Sequence, residues 1–142
     1  MTEQIVIVGG GTGGTVLANN LAERLEPELA AGDVEVTLVS DDPDHVYKPV
    51  WLYVAFGQRE SADGRRPLTE LVDDRIDLRI DRVTDIDTDA QRLESRDGAA
   101  PKEYDFLVLA TGSTLAPDEI SGLEEGGHDF YSESGSEALR EE

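Results

Sequence analysis

The chain contains no cysteine. That excludes a disulfide framework, a thiolate metal site and a redox dithiol within these residues. Positive charge is almost as scarce: 12 basic residues, of which only Lys48 and Lys102 are lysines, stand against 32 acidic ones, for a formal charge of −20. A surface of that sign repels nucleic acid and anionic lipid, so neither is an expected partner. No apolar run approaches the ~20 residues that cross a bilayer. Met1 leads into an apolar strand without the basic and apolar regions of a secretory signal. The expectation is a cytoplasmic protein with no transmembrane segment. The acidic residues are spread along the chain rather than gathered into a tail. At ordinary ionic strength, with a Debye length of about 8 Å, they repel one another. Adaptation to a very salty cytoplasm would remove that repulsion; an acidic interaction module is the second reading.

What the chain has is glycine in one place. Ile5 to Gly14 read IVIVGGGTGG, an apolar run that breaks at Gly9, Gly11 and Gly14. This is the spacing a buried parallel strand needs to turn sharply and aim a helix N-terminus at a pyrophosphate. Gly9 supplies the tight turn, Gly11 lets backbone N–H groups approach phosphate oxygens, and Gly14 lets the helix pack close to the strand. A glycine-rich loop without a ligand is the competing reading, weakened by the strand before it and the helix after it.

At 142 residues the chain suffices for one domain that buries roughly two-thirds of its unfolded surface. Gln4 to Val8 predicts the first strand. A helix follows from Thr12 or Gly13, with an apolar stripe of Val16, Leu17, Leu21 and Leu25. Pro27 kinks or restarts it and Gly32 ends it. Val34 to Val39 is the second strand, completing a right-handed βαβ unit. Asp41 to Gln58 is a turn followed by HVYKPVWLYVAFG, which holds four of the eight aromatic residues. A short helix is expected over Pro67 to Val72, with Pro67 in its first turn. Ile76–Ile80, Arg82–Ile86 and Arg92–Ser95 read as an antiparallel meander with turn chemistry at Asp97-Gly98. Tyr104 to Ala110 reads as a buried strand ending in Thr111-Gly112, and a last helix begins around Ser134 to Ser136. The fold class is α/β: a Rossmann-like FAD-binding domain, its parallel sheet carrying a βαβ unit and an inserted antiparallel β-meander. It spans residues 1–117, and 118–142 form an acidic linker or tail leading toward a second domain. The meander, where a dehydrogenase would place a helical crossover, favours FAD over NAD.

IVIVGGGTGG, VTLVS, HVYKPVWLYVAFG and YDFLVLATG together resemble the N-terminal portion of the FAD-dependent pyridine nucleotide–disulfide oxidoreductases. Within that superfamily the residues resemble sulfide:quinone oxidoreductases and their relatives, the type II NADH dehydrogenases. The resemblance implies that Gly9, Gly10, Gly11, Thr12, Gly13 and Gly14 hold the FAD pyrophosphate. It places Ser40, or Asp41 beside it, on the adenosine ribose, where relatives carry Glu or Asp. Val83 would present its backbone to the adenine edge; Ala110, Thr111 and Gly112 would pass the diphosphate or ribityl chain; Lys48 and Pro49 would lie near the isoalloxazine. Plainer readings stand beside these. Lys48 also reads as a solvated cation, and Tyr47, Trp51, Tyr53 and Phe56 as core or subunit interface. His45 reads as an exposed residue after a turn, Asp105 as strand-opening punctuation, and Glu124, Glu125 and the terminal acids as a solvated tail. A second glycine fingerprint, a cysteine pair, the late Gly-Asp motif and C-terminal amphipathic helices are not in the sequence. The chain is therefore expected to be the FAD-binding front part of a longer oxidoreductase, with no catalytic residue and no metal ligand of its own. The quinone and the electron donor, sulfide or NAD(P)H, belong to the complete protein, whose relatives sit peripherally on the inner membrane face. A homo-oligomer or a complementary C-terminal half is the expected protein partner, and strands of the missing half would complete the sheet. The alternative is a standalone, non-catalytic NAD(H) or adenine-nucleotide module.

Overall fold

The computed structural model describes residues 1–97 and 102–142, so Gly98 of the expected Asp97-Gly98 turn lies outside the described residues. The chain divides into two compact units, residues 1–45 with 67–112, and residues 46–66 with 113–142.

The first unit grows from the glycine-ended strand. β1 (Glu3–Val8) leads through the bend into α1 (Thr12–Arg24), and α2 (Glu26–Ala31) restarts the helix with Pro27 in its first turn, where a missing N–H costs nothing. Gly32 closes α2 at φ 75, in the left-handed conformation that suits glycine. β2 (Val34–Ser40) returns parallel to β1, with Ile5 opposite Val36 and Val8 opposite Val39. β3 (Asp44–Val46) and β4 (Arg65–Pro67) pair with each other, and α3 (Val50–Ala55) falls between them in sequence. α4 (Leu68–Leu71) follows. Pro67 precedes this helix rather than entering its first turn, because its ψ of 132° is extended. β5 (Asp77–Ile80) then runs parallel to β2, from Thr37 opposite Asp77 to Ser40 opposite Ile80. This corrects the expectation that residues 76–80 belong to the meander. The physical reason is burial: Ile76 and Leu78 pack into the apolar layer beneath α1. The antiparallel meander consists instead of β6 (Val83–Asp87), β7 (Arg92–Ser95) and β8 (Lys102–Glu103). β9 (Phe106–Leu109) comes back parallel to β1, giving the four-stranded order β5-β2-β1-β9. β9 is thus an edge strand, and Phe106 and Leu109 are 55% and 60% exposed where the sequence predicts burial.

The sheet is covered on both faces, as a parallel sheet requires. Ile7, Val36 and Leu38 meet Ala18 and Ala22 of α1 together with Leu68, Val72 and Ile76. On the other face Val6, Val8 and Val39 meet Leu93 and Tyr104 of the meander region. Fully burying a side chain of this size stabilises by roughly 1.5–3 kcal/mol. Asn19 ties α1 to the end of α4: its Nδ2 donates to the Leu71 carbonyl (2.8 Å) and its Oδ1 accepts from the Asp73 N–H (2.9 Å).

In the second unit α3 buries Val50, Trp51 and Val54 and leaves Leu52, Tyr53 and Phe56 exposed. The aromatic stretch therefore splits, with Trp51 in the core and Tyr47, Tyr53 and Phe56 at the surface. α5 (Leu123–Gly126) is a single turn, and α6 (Glu133–Arg140) packs against α3. Ser132 caps α6 by accepting from the Gly135 N–H. Arg140 grips Glu60 with two 3.0 Å bonds, Ser61 donates to Glu137 at 2.5 Å, and Arg65 pairs with Glu133.

Candidate functional site

Each glycine of the bend answers to a different neighbour. Gly9 has φ 121, and its N–H donates to the Val39 carbonyl at 2.8 Å. A Cβ there would overlap the Ala110 carbonyl oxygen and lie 2.6 Å from its carbon. At Gly10 a Cβ would strike Ser40 Oγ and come within 2.7 Å of Leu68 Cδ1. At Gly14 it would overlap the Gly9 carbonyl oxygen, so close does α1 approach the strand. Gly13 is less constrained, with Ala110 Cβ at 3.9 Å from its Cβ position. Gly11 differs from all of these. It has φ −73, which any residue adopts, and a Cβ would meet nothing within 4 Å. The fold needs glycine at 9, 10 and 14; at 11 the protein's own packing does not.

The start of α1 is left open as well. No side chain caps it and its first turn holds no acidic residue. Thr15 Oγ1 donates back to the Gly11 carbonyl at 2.9 Å, so it does not compete for the helix's first amides. The N–H groups of Thr12, Gly13 and Gly14 have no acceptor within the helix. Together with the helix dipole they form the positive end of α1, worth about +0.5 elementary charge.

The carboxyl ends of β2 and β9 flank this bend. Ala110 donates its N–H to the Val8 carbonyl at 2.8 Å, Thr111 N lies 3.1 Å from the Gly9 Cβ position, and Gly112 has φ 76. Ser40 is buried, and its hydroxyl donates to the Asp42 carbonyl at 2.8 Å, so it is engaged within its own turn. Asp41 is exposed beside it. The structure thus gathers the Gly9–Gly14 bend, Ser40, Ala110 and Thr111. Val83 lies on the opposite face of the sheet, paired with Ser95 and packed on the cluster that contains Val8 and Val39.

His45, which reads from the sequence as exposed after a turn, stands against the bend. It is half-buried rather than exposed, and its Nδ1 lies 3.2 Å from the Gly10 carbonyl oxygen. A carbonyl only accepts, so Nδ1 carries the hydrogen. No motif marks this contact, because the two residues are 35 apart in sequence.

Lys48 and Pro49 belong to the second unit. Pro49 caps α3, and the Lys48 ammonium sits 4.1 Å from the centroid of the Tyr131 ring, a cation–π pair. The Tyr131 hydroxyl is 3.4 Å from Ser113 Oγ. Ser113 and then Lys48 hold the phenol below its ordinary range by favouring its charged form. Tyr131 lies in the stretch that reads from the sequence as tail. Among the described residues no group of three or more histidines and carboxylates could hold a metal ion, and no helix is long and apolar enough to cross a membrane.

A positive-φ glycine bend at the carboxyl edge of a parallel sheet, followed by an uncapped helix, defines a dinucleotide-binding domain of the Rossmann type. Comparison with known proteins narrows the class. Residues 3–141 match the pyridine nucleotide-disulphide oxidoreductase family, and the chain belongs to it. It is 35% identical over 116 residues to a sulfide-quinone reductase of Aquifex aeolicus, covering 81% of this chain and 25% of that protein. It is 29% identical over 134 residues to a type II NADH:quinone oxidoreductase of Staphylococcus epidermidis, covering 93% of this chain and 31% of that protein. The crystal structure of the Aquifex aeolicus sulfide:quinone oxidoreductase superposes with a TM-score of 0.81 at 28% identity, covering 99% of this chain and 31% of that one. The chain spans between a quarter and a third of the length of these relatives. FAD is the cofactor of this family, and the residues present fit it. The space over Gly11 is open, no side chain caps the start of α1, and its first turn holds no carboxylate to repel a diphosphate.

Proposed function

We propose that this chain is the FAD-binding portion of a flavoprotein oxidoreductase that, when complete, passes electrons from sulfide or NAD(P)H through FAD to a quinone. Its likeness to sulfide:quinone and NADH:quinone oxidoreductases supports that reading. The observation that carries it is Gly11, a glycine that the fold does not need and that borders open space at the positive end of α1. Bound FAD supplies the electron chemistry; the chain's own residues bind and orient it. In this reading the amides of Gly9 to Gly14 cradle the pyrophosphate. Asp41 meets the adenosine ribose, with Ser40 shaping the turn beneath it. Val83 faces the adenine edge through its backbone, and Ala110, Thr111 and Gly112 border the diphosphate and ribityl chain. Lys48 and Pro49 serve the isoalloxazine, and Tyr131 joins them through its contact with Lys48. The exposed Phe106 and Leu109 of β9 support the chain's being a portion of a larger flavoprotein, because the remaining length seen in relatives would cover them. The complete protein is proposed to work at the cytoplasmic membrane face of a salt-adapted cell.

A thermal melt in molar salt tests the reading. FAD at a hundred times its dissociation constant should stabilise the chain by about 2.7 kcal/mol. Stabilisation by NAD(H) without any by FAD would replace this reading with a standalone nucleotide module.

A further inference from the structure

We propose that His45 is a positioning residue for the dinucleotide: by holding the Gly10 carbonyl it fixes the Gly10–Gly11 peptide plane and so aims the Gly11 N–H. The proposal rests on the FAD reading above and adds the residue that orients one of its phosphate-binding amides.

The peptide unit is planar and trans, and the described residues contain no cis bond. The Gly10 C=O and the Gly11 N–H therefore point in opposite directions from one rigid plate. Whatever holds the carbonyl decides where the amide points. Neither glycine has a side chain to resist rotation of that plate, and the Gly11 side of it borders open space. His45 Nδ1–H supplies the missing restraint at 3.2 Å. Donating to the carbonyl also polarises the peptide, making the N–H at its other end a stronger donor.

His45 is itself held in place. Ser40 Oγ donates to the Asp42 carbonyl (2.8 Å), and Asp42 Oδ1 accepts from the Asp44 N–H (2.9 Å), so the turn that carries His45 is pinned at both ends. The same Ser40 Oγ and Leu68 Cδ1 occupy the space where a Gly10 side chain would stand. Gly10 is thus hemmed in at its Cα by Ser40, the last residue of β2, and by Leu68, and held at its carbonyl by His45. The phosphate end and the ribose end of the dinucleotide site are thereby held in one register.

Three variants test this. Asn hangs its amide nitrogen on Cγ, as His hangs Nδ1, whereas Gln places it one methylene further out. FAD affinity, read by quenching of flavin fluorescence, should fall roughly five- to tenfold in His45→Ala, as expected for one lost hydrogen bond. It should return to within about twofold of wild type in His45→Asn and stay low in His45→Gln. ADP, which carries both the ribose and the diphosphate, should show the same ranking. The Gly11 amide resonance of the ligand-free chain should shift in His45→Ala and His45→Gln and keep its position in His45→Asn. A merely structural His45 would move the melting temperature without separating Asn from Gln. If His45→Ala does not fold, the comparison of Asn with Gln decides alone. Equal FAD binding by wild type and all variants overturns the role of His45 and leaves the FAD reading standing. Failure of the wild type itself to bind FAD or ADP overturns both.

Discussion

Gly14 and Gly11 occupy the same motif for different physical reasons, and substitution should separate them. Gly14→Ala drives a methyl group into the Gly9 carbonyl oxygen, which neither backbone can vacate without opening the strand–helix contact. The expected loss is about 1–3 kcal/mol, read as a lower urea midpoint at unchanged slope. A midpoint equal to wild type would mean that α1 does not approach β1 as closely as described. The glycine spacing made the bend legible in the sequence, because Gly9 and Gly14 each answer a local steric demand. The contact of His45 with Gly10 was not legible, nor was the turning of the Ser40 hydroxyl into its own turn. The sequence offers Ser40 as a ribose contact, and only the structure shows its hydroxyl turned into the Asp42 carbonyl. His45 acts across 35 residues, a distance that no periodicity spans.

Among the elements, the join between α1 and α4 depends on one side chain. Asn19→Ala removes both of its hydrogen bonds and leaves the Leu71 carbonyl and the Asp73 N–H to find water. A loss of about 1–2 kcal/mol is expected by chemical denaturation, and no loss would show that solvent replaces Asn19 freely. The docking of α6 should respond to acid. Hydrogen bonding and then charge from Arg140 hold the Glu60 carboxyl below its ordinary value of 4.5. A carboxyl whose pKa is lowered on folding stabilises the fold above its unfolded pKa and loses that contribution as pH falls through the lower, folded one. Amide protection in α6, corrected for intrinsic exchange, should therefore be flat above about pH 5 and decline below 4.5. Glu60→Gln should start from the lower protection and lose this part of the decline. The apolar runs of β1 and β2 and the helical span of α1 were readable from the chain, but not the buried face of α1. Ala18 and Ala22 face the core, while Val16 of the expected apolar stripe is 53% exposed, because α1 approaches the strand closely enough for small side chains only. The allegiance of β5 was not readable either, because a four-residue strand shows no difference between an antiparallel ribbon and a parallel edge; Ile76 and Leu78 choose the sheet by burial under α1. Likewise YDFLVLA reads as buried from its apolar content, yet among the described strands β9 has a neighbour on one side only.

For the molecule as a whole, charge sets the conditions under which the rest can be seen. A formal charge of −20 on 142 residues opposes compaction, and raising salt from 0.1 M to 1 M shortens the Debye length from about 10 Å to about 3 Å. The melting temperature should rise across that range, each recovered kcal/mol adding roughly 3–5 °C. A flat or falling curve would remove the salt-adaptation proposal. The joining of residues 46–66 with 113–142 into one unit was not visible in the sequence, since it rests on α3–α6 packing and on ion pairs between distant segments such as Arg140 and Glu60. The open space over Gly11 is proposed to belong to the diphosphate of FAD. That proposal is tested most directly by titrating FAD into wild-type chain and Gly11→Val in molar salt, with melting followed in parallel. The prediction is quenched flavin fluorescence with wild type and its loss in Gly11→Val, whose ligand-free melting temperature stays at the wild-type value. Wild type that leaves free flavin fluorescence unchanged, or Gly11→Val that binds FAD as tightly as wild type, would contradict it.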